Sequence, residues 1–180
     1  MSNNTSIKKY VDEGQAAYQR GDYTDAAQAY QDAARGYSES GDSLSAAEML
    51  NNSSVAFLQA GDAQAALQAM EGTASVFSLS GDKRRQGMAL GNLAAALEAV
   101  GSLKEAKEIY QQSAEVLEQA GEYELRSQVM KSLSSLQLRT GHQLEALATM
   151  QAGLNNIKHP TYQQRFLKKL LQIPMRLLGR

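Results

Sequence analysis

The sequence contains no cysteine and no tryptophan, only two prolines, and only three phenylalanines among its 180 residues. Without cysteine there can be no disulfides and no thiolate metal ligands, which fits a reducing compartment. With so little proline, and with Ala, Leu, Gln and Glu abundant, helix is favoured over strand. No segment approaches the roughly 20 apolar residues that a spanning helix needs. The first ten residues, MSNNTSIKKY, lack the apolar run of a secretory signal. A cytoplasmic protein is expected.

The catalytic inventory is equally short. His142 and His159 are the only histidines, and neither has a second ligand at helical i, i+4 spacing. There is no GxSxG, P-loop or GxGxxG, and the many serines lack a positioned base. Neighbouring carboxylates such as Glu105 and Glu108, or Glu115 and Glu118, read as solvating charges. No catalytic residue, cofactor or metal site is expected, and the chain is not expected to be an enzyme.

Charge of one sign is missing from one end. Met1 to Glu145 carries 12 Lys/Arg against 19 Asp/Glu, a net of −7, whereas residues 146–180 carry six Lys/Arg and no acid. The two parts call for different partners.

What is present is a ruler. Glycine recurs every twenty residues, at Gly21, Gly41, Gly61, Gly81, Gly101, Gly121 and Gly141, and four of the seven are followed by aspartate: Asp22, Asp42, Asp62 and Asp82. Glycine can end a helix in the left-handed conformation, and a short acidic or hydroxyl residue suits the start of the next one. Each mark predicts a turn between two helices of about 17 residues. A helix from near Ile7 to Arg20 precedes the first mark, after a loose, flexible stretch over 1–6.

Alignment on the glycines gives a true period of forty. In alternate segments the fifth residue after the glycine is alanine (Ala26, Ala66, Ala106, Ala146) and the ninth is large (Tyr30, Met70, Tyr110, Met150). The intervening segments break that rule with Gln86 and Arg126 and keep their own large column, Leu50, Leu90 and Met130. A small residue with a large one four further on lets a neighbouring helix approach and fills the next groove. One such pair cannot bury its apolar face alone, so the pairs must stack.

The run Gly14, Ala17, Tyr18, Gly21, Asp22, Tyr23, Ala26, Tyr30 and Ala33 resembles the tetratricopeptide repeat, and Leu93, Ala94, Leu97, Gly101, Leu103, Ala106, Tyr110 and Ser113 give the same pattern in the third copy. The unit is about 40 residues where the common repeat has 34, and the proline that usually closes a repeat is absent. This is similar to the extended repeats of LGN/Pins-type and kinesin-light-chain-type adaptors, and more loosely to SNAP-type membrane-fusion adaptors. The resemblance implies an all-α, right-handed α-solenoid of four helix-turn-helix repeats, about 7–40, 41–80, 81–120 and 121–157. A basic amphipathic capping or docking helix over 158–180 follows. It implies a non-enzymatic scaffold or adaptor that binds a protein or peptide segment in a concave groove lined by the first helix of each pair.

The same resemblance places Val11, Gln15 and Tyr18 in that groove, then Asn51, Val55 and Leu58, then Gly91, Ala95 and Glu98, then Lys131, Ser135 and Leu138. Asn52 and Asn92 repeat forty apart, and in such adaptors an asparagine there bonds the backbone of an extended peptide. Alternatively, they brace a neighbouring helix. A clamp for a terminal carboxylate is disfavoured, because only Lys8 and Lys131 are available as cations. The basic run Lys83-Arg84-Arg85 reads as a solvated helix start.

From Tyr162 onward, Phe166, Leu170, Ile173 and Leu177 fall on one helical stripe, with Arg165, Lys169 and Arg176 opposite and Lys168 beside them. This helix either caps the last repeat, occupies the groove, or docks on a partner or an anionic membrane, the last making the chain a peripheral, SNAP-like adaptor. Nucleic acid is disfavoured, since only Tyr162 and Phe166 could stack on bases.

Overall fold

The structure, a computed structural model, describes residues 2–178 of the chain and the side chains of 5–170. Ten helices are described: α1 (Ser2–Arg20), α2 (Tyr23–Glu39), α3 (Ser43–Ala60), α4 (Ala63–Ala69), α5 (Thr73–Leu79), α6 (Lys83–Ala99), α7 (Leu103–Gln119), α8 (Tyr123–Arg139), α9 (Gln143–Gly153) and α10 (Tyr162–Leu178). Each packs mainly on its neighbours in sequence, with α3 reaching α6 across the second repeat. The chain is thus an all-α solenoid in which α1, α3, α6 and α8 are the first helices of four repeats, α2, α4–α5, α7 and α9 the second, and α10 the additional C-terminal helix.

All seven ruler glycines are left-handed, with φ between 72° and 87°. At Gly21 the amide donates to the Tyr18 carbonyl at 3.1 Å, and the Asp22 amide to Ala17 at 3.0 Å. That pair of bonds is a Schellman turn, and it recurs at the other six marks, satisfying carbonyls that the helix end leaves unpaired. The aspartates cap as expected in three cases of four: Asp42, Asp62 and Asp82 accept from the amides of Ser45, Ala65 and Arg85 at 3.0, 3.0 and 2.9 Å. Asp22 is instead taken by the Arg20 guanidinium at 2.9 Å.

The alanine columns are buried, with Ala26, Ala66 and Ala106 at 0% exposure. Helix backbones come close enough there for hydroxyls to reach carbonyls across the interface. Ser54 donates to Ala66 O at 2.9 Å, and Ser134 to Ala146 O at 2.8 Å eighty residues later. Ser53 and Ser113 bond Ala27 O and Gly87 O in the same way. The apolar core is strung along the stack in patches, Tyr30 and Met49 in the first, Met70 and Phe77 in the second, Tyr110, Leu133 and Leu136 in the third.

Three local expectations are corrected. The first helix begins at Ser2, ahead of Ile7, because Ile7 is buried at 3% against Gly36 and anchors a turn from which helix extends backwards; Met1, part of the stretch expected to be loose, lies outside the described residues. The segment 63–79 is two helices, broken at Gly72, whose φ is 76°. The segment from 143 leaves helix at Gly153, and Asn156 turns left-handed at φ 65°. The run Lys83-Arg84-Arg85 starts α6 as expected, with Lys83 and Arg84 exposed, and it also ties helices together: Lys83 donates to Gln119 at 3.0 Å, Arg84 pairs with Glu122 at 3.2 Å, and Arg85 joins Asp82 and Glu48 while lying over the Phe77 ring.

Where the ruler would next place a glycine, Thr161 and Gln164 form a capping box. The Gln164 amide donates to Thr161 Oγ1 at 3.2 Å, and the Thr161 amide donates to Gln164 Oε1 at 2.8 Å. This starts α10 without a Schellman turn before it.

Candidate functional site

A groove of about 840 Å³ runs between α6 and α8, with Leu58 of α3 at one end and Tyr110 of α7 beneath. Of the residues expected in it, Leu58, Ala95, Glu98, Lys131 and Ser135 are brought together there. Their spacing explains this: three or four residues along α6 and α8 return to one face, and successive first helices lie side by side. A smaller hollow of about 240 Å³, lined in part by Gly91, Asn92 and Ala95, adjoins it and shares Tyr110, Gln128 and Ser132.

Other expected positions lie elsewhere. Gln15 is exposed on α1, and Tyr18 is half-buried, edge-on to the Tyr23 ring at 5.3 Å. Val11 and Tyr18 pack on the first core patch. Asn52 and Val55 are half-buried on α3 and line neither hollow, and Leu138 is exposed outside both. Asn92 donates through Nδ2 to Asn51 Oδ1 at 3.0 Å, so the forty-residue asparagine column is linked through the residue beside it. Asn92 therefore braces α6 against α3 and keeps one N–H and its own oxygen for other partners.

The groove's strongest polar feature was not anticipated. Glu98 accepts a hydrogen bond from the Tyr110 hydroxyl at 2.9 Å and pairs with Arg139 of the next repeat. Tyr110 is 3% exposed, and burial, reinforced by the Glu98 carboxylate, pushes its ionisation well above the ordinary tyrosine value. The sequence offered one signal: Glu98 and Arg139 are 41 apart, the same offset as Asn51 and Asn92. Lys131 is exposed in the groove.

On α10 the stripe faces outward, with Tyr162 86%, Phe166 62% and Leu170 49% exposed. Lys169 is exposed and Lys168 half-buried. The side chains of Ile173, Arg176 and Leu177, expected to extend this surface, lie outside the described residues. No helix among the described residues is long and apolar enough to cross a membrane.

Residues 85–158 match the family model described as tetratricopeptide repeat. No curated protein matches the sequence. Among solved structures, the nearly identical TPR-like repeats of a Podosopora anserina kinesin light chain superpose with a TM-score of 0.70 at 15% identity, covering 99% of this chain and 95% of that one. The MamA protein is also similar, at TM-score 0.49 and 16% identity, covering 85% of this chain and 92% of its own. The tetratricopeptide-repeat match thus covers residues 85–158, and the likeness to the TPR-like repeats extends the same helical-repeat fold over the length of the chain.

Proposed function

We propose that the chain is a non-enzymatic scaffold that binds an extended segment of a partner protein in the groove between α6 and α8. The carrying observation is the groove itself, about 840 Å³ and lined by the apolar Leu58 and Ala95 together with the charged groups Glu98, Lys131 and Arg139. A hollow of this size accommodates several side chains of a peptide, with Gln128, Ser132 and Ser135 able to bond its backbone. The free N–H and oxygen of Asn92 would serve a peptide that continues toward α3.

Selection of peptides from a displayed random library tests this, using the full chain and a Ser135→Trp variant whose new side chain fills the groove from an exposed position. Peptides enriched on the chain are expected to lose roughly tenfold or more in affinity on the variant, a difference of about 1.4 kcal/mol. Failure to enrich any peptide, or equal binding by the variant, would remove the groove from consideration.

The alternative, docking of α10 to an anionic membrane, draws on the outward stripe of Tyr162, Phe166 and Leu170 beside Lys169. Sedimentation with phosphatidylserine vesicles decides it, a chain that stays in the supernatant ruling it out.

A further inference from the structure

Counting forty residues on from Gly121 reaches Thr161 and puts α10 in the place of a fifth first-type helix. In this register Phe166 and Leu170 stand where α8 has Arg126 and Met130. Both of those side chains lie against α9, the second helix of their own repeat. Arg126 Nη1 donates to the Ala152 carbonyl at 2.9 Å, and Met130 packs over Gly153 so closely that a Cβ on the glycine would lie 2.9 Å from it. Leu90, the matching residue of the third repeat, is also buried. In α10 these same columns face solvent, Phe166 at 62% and Leu170 at 49%. On its other side the helix meets α9, where Gln164 and Leu167 share the lining of a hollow with Met150 and Leu154.

The chemistry of the outward face is one-sided. Arg165, Lys168 and Lys169 line a hollow of about 470 Å³ with Tyr162 and Phe166, and no acidic residue follows Glu145 in the sequence. A second copy of α10 laid on this face would set cation against cation. We propose that the outer face of α10 docks an amphipathic helix of a partner protein, acidic along its flanks, which completes a fifth repeat as its second helix. A bilayer would accept an apolar stripe with basic flanks, but it is indifferent to register. The stripe on α10 occupies the columns that seat a second helix in the repeats before it.

A peptide with the sequence of α7, residues 103–119, is a suitable probe, since it is itself a second-type helix. Lys104 and Glu108 are exposed and four apart, so a lactam between them holds the helix and leaves Glu105, Glu115 and Glu118 against Lys107. Fluorescence anisotropy with the full chain is expected to show binding that weakens as salt is raised. The double substitution Phe166→Ser and Leu170→Ser should cost roughly tenfold or more in affinity with the circular dichroism spectrum unchanged. No binding, or affinity indifferent to the double substitution, overturns the proposal. Equal binding by the peptide with its three free glutamates changed to glutamine overturns the acidic character of the partner. Phosphatidylserine vesicles that retain the chain through Phe166 and Leu170 while the peptide does not bind would make the face a lipid surface, against the proposal.

Discussion

Gly87 lies directly beneath Leu117: a Cβ on the glycine would sit 2.6 Å from Leu117 Cγ, and Leu117 is fully buried. The Gly87 carbonyl also accepts from Ser113 at 2.7 Å, so α6 and α7 are fixed at this approach by both shape and hydrogen bond. Gly87→Ala should therefore lose about 1–3 kcal/mol to overpacking, offset by about 1 kcal/mol from better helix propensity. A net loss of up to about 2 kcal/mol would lower Tm by as much as several degrees, at about 2–4 °C per kcal/mol for a chain of this size. An alanine variant that melts with the parent chain would show that Leu117 can move aside.

Such contacts explain what was and was not legible in the sequence. The seven marked glycines share a period, and a period survives without knowledge of tertiary contacts; hence the turns and the forty-residue register were readable. Gly36, Gly72 and Gly87 all fall within expected helices, and local sequence treats them alike. They separate only in three dimensions. Ile7 and Leu117 press on Gly36 and Gly87, which stay helical, while nothing lies within 4 Å of a Cβ at Gly72, where the chain turns left-handed and splits α4 from α5. The groove was half readable for a related reason. The family resemblance put Ala95, Glu98, Lys131 and Ser135 in the groove, but the stagger between neighbouring first helices pairs residues 41 apart, as in Asn51 with Asn92 and Glu98 with Arg139. A strict forty-residue comparison aligns Asn92 with Asn52 and misses both pairs.

Gln137 offers a stabilising change. It is 3% exposed and its Oε1 has no hydrogen-bond partner, although the same column holds Ala17, Phe57 and Leu97 in the other first helices. An unsatisfied buried acceptor costs about 1–3 kcal/mol, and leucine has nearly the same size. Gln137→Leu should raise stability by about 1–2 kcal/mol in urea denaturation, with the slope unchanged. A loss would mean that the amide nitrogen holds a bond worth more than the stranded oxygen costs.

Acid should weaken the caps. The Asp82 carboxylate accepts from the Arg85 amide at 2.9 Å and from Arg85 Nε at 2.6 Å, and these bonds hold it below an aspartate's ordinary value. Asp42 is lowered in the same way, chiefly by the Ser45 amide. A depressed carboxylate adds stability that is complete above the unfolded-state value and is lost as pH falls through the folded-state value. Thermal melts taken from neutral pH downward should therefore lose Tm below the ordinary aspartate range. Asp82→Asn, which keeps an oxygen to cap but no charge, should start lower and fall less steeply. Parallel profiles for the two chains would exclude Asp82 as a contributor.

The pairing of Tyr110 with Glu98 should be visible at the alkaline end. Burial raises the tyrosine's ionisation first, and the hydrogen bond and charge of Glu98 raise it further, so the folded chain keeps this proton where an unfolded chain would lose it. The resulting stability is whole below the ordinary tyrosine value and drains away as pH climbs toward the folded-state value. Ultraviolet titration of tyrosinate in the parent chain, minus that of Tyr110→Phe, isolates this hydroxyl from the seven other tyrosines. Its transition should come well above the ordinary tyrosine value and coincide with alkaline unfolding. Glu98→Gln removes the opposing charge but leaves the burial, so the transition should move down only part of the way, while Arg139 loses its partner and becomes free for a ligand carboxylate. If Tyr110 titrates at the ordinary tyrosine value, its hydroxyl is not held by Glu98 in solution, and the polar wall of the groove is not built on this pair.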